Sequence, residues 1–168
     1  MKGFFEMKSM MMSLAFAAAG LGLTPAAARN SAEEERNRAL VQKGFDAWRD
    51  GTGSPYDLLA DNAEWTIMGN SAASRTYPGK EAFISEVIRP FNARMSVGLK
   101  PTIRNMYADG DTVIVFFDAA GTARDGQPYK NTYAWLLDMQ GGKVVKAHAF
   151  FDSVEFNDFW SRVQPVAE

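Results

Sequence analysis

Three side chains in the C-terminal half of the chain offer chemistry: Asp152, His148 and Asp118. Asp152 closes the apolar run Ala149-Phe150-Phe151, where a surface carboxylate is out of place. A carboxylate held among aromatic rings loses hydration, and its pKa rises toward that of a general base. The same residue precedes Ser153 and an apolar segment, which also fits a helix N-cap. Both roles stay open. His148 is the only histidine and shares a predicted strand face with Phe150 and Asp152. Strand residues rise about 3.3 Å each, so His148 and Asp152 sit about 13 Å apart along one strand. They cannot bond each other, but both can touch one ligand, and a histidine can act as a base without a metal. A half-exposed strand histidine has the same signature. Asp118 ends another β-rich run on the face of Ile114 and Phe116, as a second carboxylate or as a surface group beside a turn.

Side chains suited to hold a ligand gather on one predicted strand. Tyr129, Asn131, Tyr133 and Trp135 alternate there and share a face. Rings with hydrogen-bonding tips suit a pocket wall, and Trp65, Phe116 and Phe150 are expected to complete it. Asn131 is costly to bury unless paired. One histidine and no cysteine leave only carboxylate metal sites, and no ligand spacing is present, so no metal is expected. No phosphate-binding or dinucleotide fingerprint occurs, and no cofactor is expected. A formal net charge of -2 gives no reason to expect a nucleic-acid partner.

These residues need a frame, and the chain supplies one. Ser31 and Glu34 have capping-box spacing, and Val41, Phe45 and Trp48 follow on one helical face up to Gly51. Ser54-Pro55 starts a short helix through Leu58 and Leu59. Glu64 to Met68 reads as a strand. Lys80 to about Arg94 has helical spacing interrupted by Pro90, which must kink or split it. Four strands follow, at 102–107, 112–120, 129–138 and 143–151. The turns between them are Asp109-Gly110, Asp125-Gly126 and Gly141-Gly142. Residues 156–163 form a last short helix. Helices first and strands afterwards give an α+β domain over residues 31–163, with the helices on one face of a curved antiparallel sheet and a tail at 164–168.

Residues 1–28 stand apart. Lys2 and Lys8 precede the apolar stretch Met10 to Leu23, and Pro25 and Ala26-Ala27-Ala28 follow. That is the pattern of an export signal, with Met7 a second possible start. An apolar run of this length is short for a membrane span, which needs about 20 residues, although an uncleaved anchor is the rival reading. After cleavage the protein is expected in the periplasm or outside the cell, with no membrane attachment.

The sequence resembles the SnoaL-like domain of the NTF2-like superfamily, which includes ketosteroid isomerases, polyketide cyclases, scytalone dehydratase and limonene epoxide hydrolase. The resemblance lies in Tyr77-Pro78-Gly79-Lys80-Glu81-Ala82, in Gly110 to Val115, in Asp125 to Tyr133, and in Gly142-Lys143-Val144-Val145 leading into Phe150-Phe151-Asp152. It implies an NTF2-like cone, a curved sheet wrapped around the N-terminal helices. It also implies a pocket for a small hydrophobic ligand, and it matches Asp152 to the aspartate that ends the last strand in limonene epoxide hydrolase. Phe116 stands where that enzyme places an arginine. Three functions follow as expectations: cofactor-free acid–base catalysis of isomerase, dehydratase or hydrolase type with Asp152 as base; a periplasmic small-molecule binder; or an interaction protein. The paired rings Phe116-Phe117 and Phe150-Phe151 put aromatics on both sheet faces, so a homodimer through the outer face is expected.

Overall fold

The computed structural model describes residues 25–166, and of residues 25–28 only the backbone. Most of the expected signal segment therefore lies outside the described residues. The elements run α1 (Pro25–Asp50), a 3₁₀ turn (Pro55–Leu58), β1 (Leu59–Ile67), β2 (Thr76–Pro78), α2 (Lys80–Phe83), a π-turn (Ile84–Ile88), α3 (Arg89–Asn92), β3 (Met95–Asp109), β4 (Thr112–Ala123), β5 (Pro128–Gln140), β6 (Lys143–Phe151) and α4 (Ser153–Arg162). The six strands form one sheet in the order β2-β1-β6-β5-β4-β3.

The meander β3 to β6 is antiparallel as expected. β1 joins β6 in parallel, so the whole sheet is mixed. α1 runs through Ser31 instead of starting there, and the Glu34 carboxylate accepts a hydrogen bond from the Gly110 N–H at 3.0 Å. Val41 and Phe45 are buried, and the Phe45 ring meets Phe117 edge-on at 4.9 Å. The Ser54 side chain caps the 3₁₀ turn by accepting from the Tyr56 N–H. Pro90 has the expected consequence. It has no N–H to give, and the turn before it widens, so that the Arg89 N–H reaches back five residues to the Ile84 carbonyl.

β3 shifts register against β4 at three places, and the two strands approach closely near Gly121. A Cβ on Gly121 would lie 2.6 Å from the Val97 carbonyl oxygen, so only glycine lets the strands come this near. The sheet curls around α1, α2 and α3, and α4 closes the end beyond β6. No helix among the described residues is long and apolar enough to cross a membrane.

Candidate functional site: a neutral aromatic cavity

The concave face of β5 carries Tyr129, Asn131, Tyr133, Trp135 and Leu137, all buried, as the alternation predicts. Strand register aligns Val115, Trp135, Ala149 and Ile67 in one row, and Phe117, Tyr133 and Phe151 in the next. Ala149 is the small member of a row of large ones. Above it a cavity of about 240 Å³ remains between sheet and helices. Trp48, Tyr56, Trp65, Phe83, Tyr133 and Trp135 form most of its aromatic wall, with Val87, Ile88 and Phe91 from the helical side and Phe156 from α4. Gly53 and Asn92 line it and are exposed, which places the mouth between the end of α1 and the start of β3.

No Asp, Glu, Lys, Arg or His lines this cavity. Its titratable groups are the phenols of Tyr56 and Tyr133, and burial raises the pKa of both well above the ordinary tyrosine value. They act as neutral hydroxyls. The Tyr133 hydroxyl lies 3.3 Å from that of Tyr129, which accepts from Asn131 Nδ2 at 3.0 Å. The Trp65 Nε1–H is buried and meets no acceptor.

Of the ten expected site residues, Trp65, Tyr133 and Trp135 line the cavity. Tyr129 stands behind Tyr133. Asn131 is a clamp: its Nδ2 donates to the Asp152 carbonyl at 3.0 Å, and its Oδ1 accepts the Asp152 N–H at 2.9 Å. The remaining five stand elsewhere. Asp152 is exposed and caps α4, its Oδ1 accepting from the Val154 N–H at 2.8 Å and the Glu155 N–H at 3.3 Å. It is the N-cap and not a carboxylate among rings.

His148, Phe150, Phe116 and Asp118 lie on the convex face, the reverse of the expected one. For β6 the reason is a bulge at the start of the strand. Met139 pairs with Val144 but Asp138 pairs with Lys146, and that one extra residue turns Ala147, Ala149 and Phe151 inward. Asp118 accepts from Thr132 Oγ1 at 2.7 Å and from Arg104 Nε at 2.6 Å, and these bonds hold its pKa below the usual carboxylate value. Asp118 and Asp152 both line a surface hollow, with Lys130 and Glu155, outside the cone. Among the described residues no group of His, Cys, Asp and Glu is arranged to hold a metal ion.

Sequence reasoning missed Tyr56, Phe83, Phe91, Ala149 and Phe151 as cavity residues. Phe83, Val87 and Phe91 recur four residues apart, and that shared helical face is the signal that identifies Phe83 and Phe91.

An α+β cone whose sheet and helices enclose a neutral, aromatic hollow is the class of protein that fold and site define. The chain belongs to the SnoaL-like domain family, whose model matches residues 37–147. Solved structures agree on the NTF2-like fold. Bal32a from a soil-derived mobile gene cassette is 22% identical, with 76% of this chain and 98% of that chain covered and a TM-score of 0.64. An NTF2-like protein from Burkholderia thailandensis is 22% identical over 73% of this chain and 95% of that one, with a TM-score of 0.61. An LEH-like epoxide hydrolase from M. tuberculosis is 16% identical over 77% and 92%, with a TM-score of 0.55. At these identities the likeness extends to the fold alone. No curated protein matches the chain.

Proposed function

We propose that this protein binds a small, neutral, largely apolar molecule in the cone, and that the cone is a binding site and not an acid–base active site. One observation carries the reading: the cavity wall has aromatic and aliphatic side chains, hydroxyls and the Asn92 amide but no charged group. An apolar cavity of about 150 Å³ is enough to take up benzene. The hollow here, about 240 Å³, has room for a molecule of one or two rings. The Tyr133 hydroxyl, backed by Tyr129 and Asn131, can polarise a carbonyl. Proton transfer also needs a base, and the expected one, Asp152, serves as the cap of α4.

Fluorescence titration of the full chain tests this. Naphthalene is expected to quench the tryptophans at the cavity saturably. 2-Naphthoate should bind at least about 100-fold more weakly, because its carboxylate would be buried without a partner. Equal binding of the anion, or no saturable response to naphthalene, sinks the reading.

We propose also that the site works outside the cytoplasm, with residues 1–28 removed as an export signal. Lys8, the apolar stretch Met10 to Leu23 and the small residues Ala26 to Ala28 support this. The intact mass of the exported chain should correspond to a start at Arg29; a chain retained in the membrane at full length would contradict it.

The outer sheet face supports a homodimer. Strand register lines up Tyr107, Ile114, Leu136 and His148 in one row and Phe116, Ala134 and Phe150 in the next. Charged rows flank them, Arg104 with Asp118 on one side and Lys146 with Glu64 on the other. An apolar stripe with both signs of charge at its rim is self-complementary under a two-fold axis. Phe150 is 45% exposed in the single chain. Sedimentation should give a dimer for the wild type and a monomer for Phe150→Asp; a monomeric wild type refutes the proposal.

A further inference from the structure

Trp65 has the one buried side-chain polar atom without a partner among the described residues. The residue is 2% exposed and stands in the cavity wall. Its neighbours there are rings. Phe83 stacks on the indole at 4.4 Å, while Trp135 at 5.0 Å and Tyr56 at 5.8 Å meet it edge to face. The Tyr56 hydroxyl, the one oxygen these rings carry, makes no hydrogen bond to Trp65. A buried donor left unmatched costs the folded protein the equivalent of about tenfold or more in an equilibrium constant. The nitrogen itself has less than 1 Å² of accessible surface, so a bound molecule that supplies an acceptor recovers that loss as the flanking rings give way to it. A hydrocarbon of the same shape does not.

We propose that Trp65 is the specificity-determining donor of the cavity, and that it selects neutral molecules bearing a carbonyl oxygen over isosteric hydrocarbons. The proposal rests on the reading of the cavity as a ligand site and adds to it the chemical class of the ligand. In a cavity without a free donor, the cost of stripping water from a carbonyl favours the hydrocarbon. A preference for the ketone therefore requires a donor inside, and the rival donors are the hydroxyls of Ser54, Tyr56 and Tyr133, the Asn92 amide and the indoles of Trp48 and Trp135.

The test uses the matched pair 1-indanone and indane, titrated against the full chain by calorimetry and followed by the indole N–H resonances of 15N-tryptophan-labelled protein. The wild type is expected to bind 1-indanone about tenfold or more tightly than indane. The Trp65 indole resonance should shift with 1-indanone and stay near its place with indane. Trp65→Phe should bind both molecules with similar affinity. Equal affinities in the wild type overturn the proposal while leaving the ligand site intact. A ketone preference that survives in Trp65→Phe assigns the role to another donor of the wall and also overturns it. Should Trp65→Phe fail to fold, the wild-type ratio and the Trp65 resonance decide alone: a ketone preference without a Trp65 shift counts against it. Binding of neither molecule removes the ligand site and this proposal with it.

Discussion

Ala149→Leu is expected to abolish ligand uptake while leaving the protein folded. Ala149 is buried at the base of the cavity, between Trp135 and Ile67 in the same row of the sheet. Its methyl is what makes the hollow possible, since every neighbour in that row is larger. A leucine there projects into empty, apolar space. Its added carbons gain roughly 0.8 kcal/mol per buried methylene, set against any strain beside Trp135. Unfolding stability should therefore change by less than about 2 kcal/mol in either direction. Binding should fall at least about tenfold, because the leucine occupies the ligand's volume. The readout is ligand-induced stabilisation, which grows as RT ln(1 + [L]/Kd) and should vanish in the variant. Ala120→Leu, at an exposed position of β4, is the control and should bind like the wild type. An Ala149→Leu protein that binds naphthalene as tightly as wild type would move the site elsewhere.

The sequence was most readable where its signals were local. The α1 face, the interruption at Pro90, the meander and its three turns all appear in the structure, because helical period, missing N–H groups and turn glycines act within a few residues. The concave face of β5 was legible too, from alternating large residues. The faces of β4 and β6 were not, and the cause is the same in both. A two-residue turn at Gly141-Gly142 with no bulge would pair His148 with Trp135 and put it inside; the bulge pairs Ala149 there instead. At the other hairpin, the Ala123 N–H bonds the Gln127 carbonyl, so the loop has three residues, with Gly126 at φ 82°. A two-residue Asp125-Gly126 turn would have set Phe116 opposite Trp135, whereas Val115 stands there. A slip of one residue reverses every side chain that follows. Burial energies carry the missing signal. The bulge keeps Lys146 and His148 out of the core and places Ala147 and Ala149 within it.

Asp152 shows the same limit from another side. An aspartate after an apolar run and before a serine is compatible with a desolvated base and with a cap. What separates the two is where the next helix begins. α4 starts at Ser153, so the carboxylate is drawn to the free N–H groups of its first turn. Charge placed there stabilises the helix, and α4 brings Phe156 onto the cavity. The residue shapes the site through the helix it starts.

Asn131→Ala is expected to destabilise the protein by about 2–4 kcal/mol, although it removes no apolar surface of consequence. Its side-chain amide grips both backbone groups of Asp152 and donates to the Tyr129 hydroxyl. Truncation leaves the Asp152 N–H and carbonyl without these partners at a partly buried junction, and each orphaned group costs about 1–3 kcal/mol. This junction fixes one end of α4. The other end is held by Arg94, whose Nε donates to the Val163 carbonyl at 2.8 Å and whose guanidinium lies 3.9 Å from the Trp160 ring centre. With the Arg94 end intact, the helix should stay attached but swing more freely at its start. Urea unfolding should show a lower midpoint with little change in slope, and hydrogen exchange should rise first at Val154 and Glu155. Ligand affinity should fall in step, through the looser placement of Phe156 at the cavity wall. The alternative role for Asn131, a direct contact to ligand, makes the opposite forecast: unchanged stability with lost affinity. Urea midpoints for the wild type and the variant that agree within error would therefore return Asn131 from the frame of the site to its binding surface.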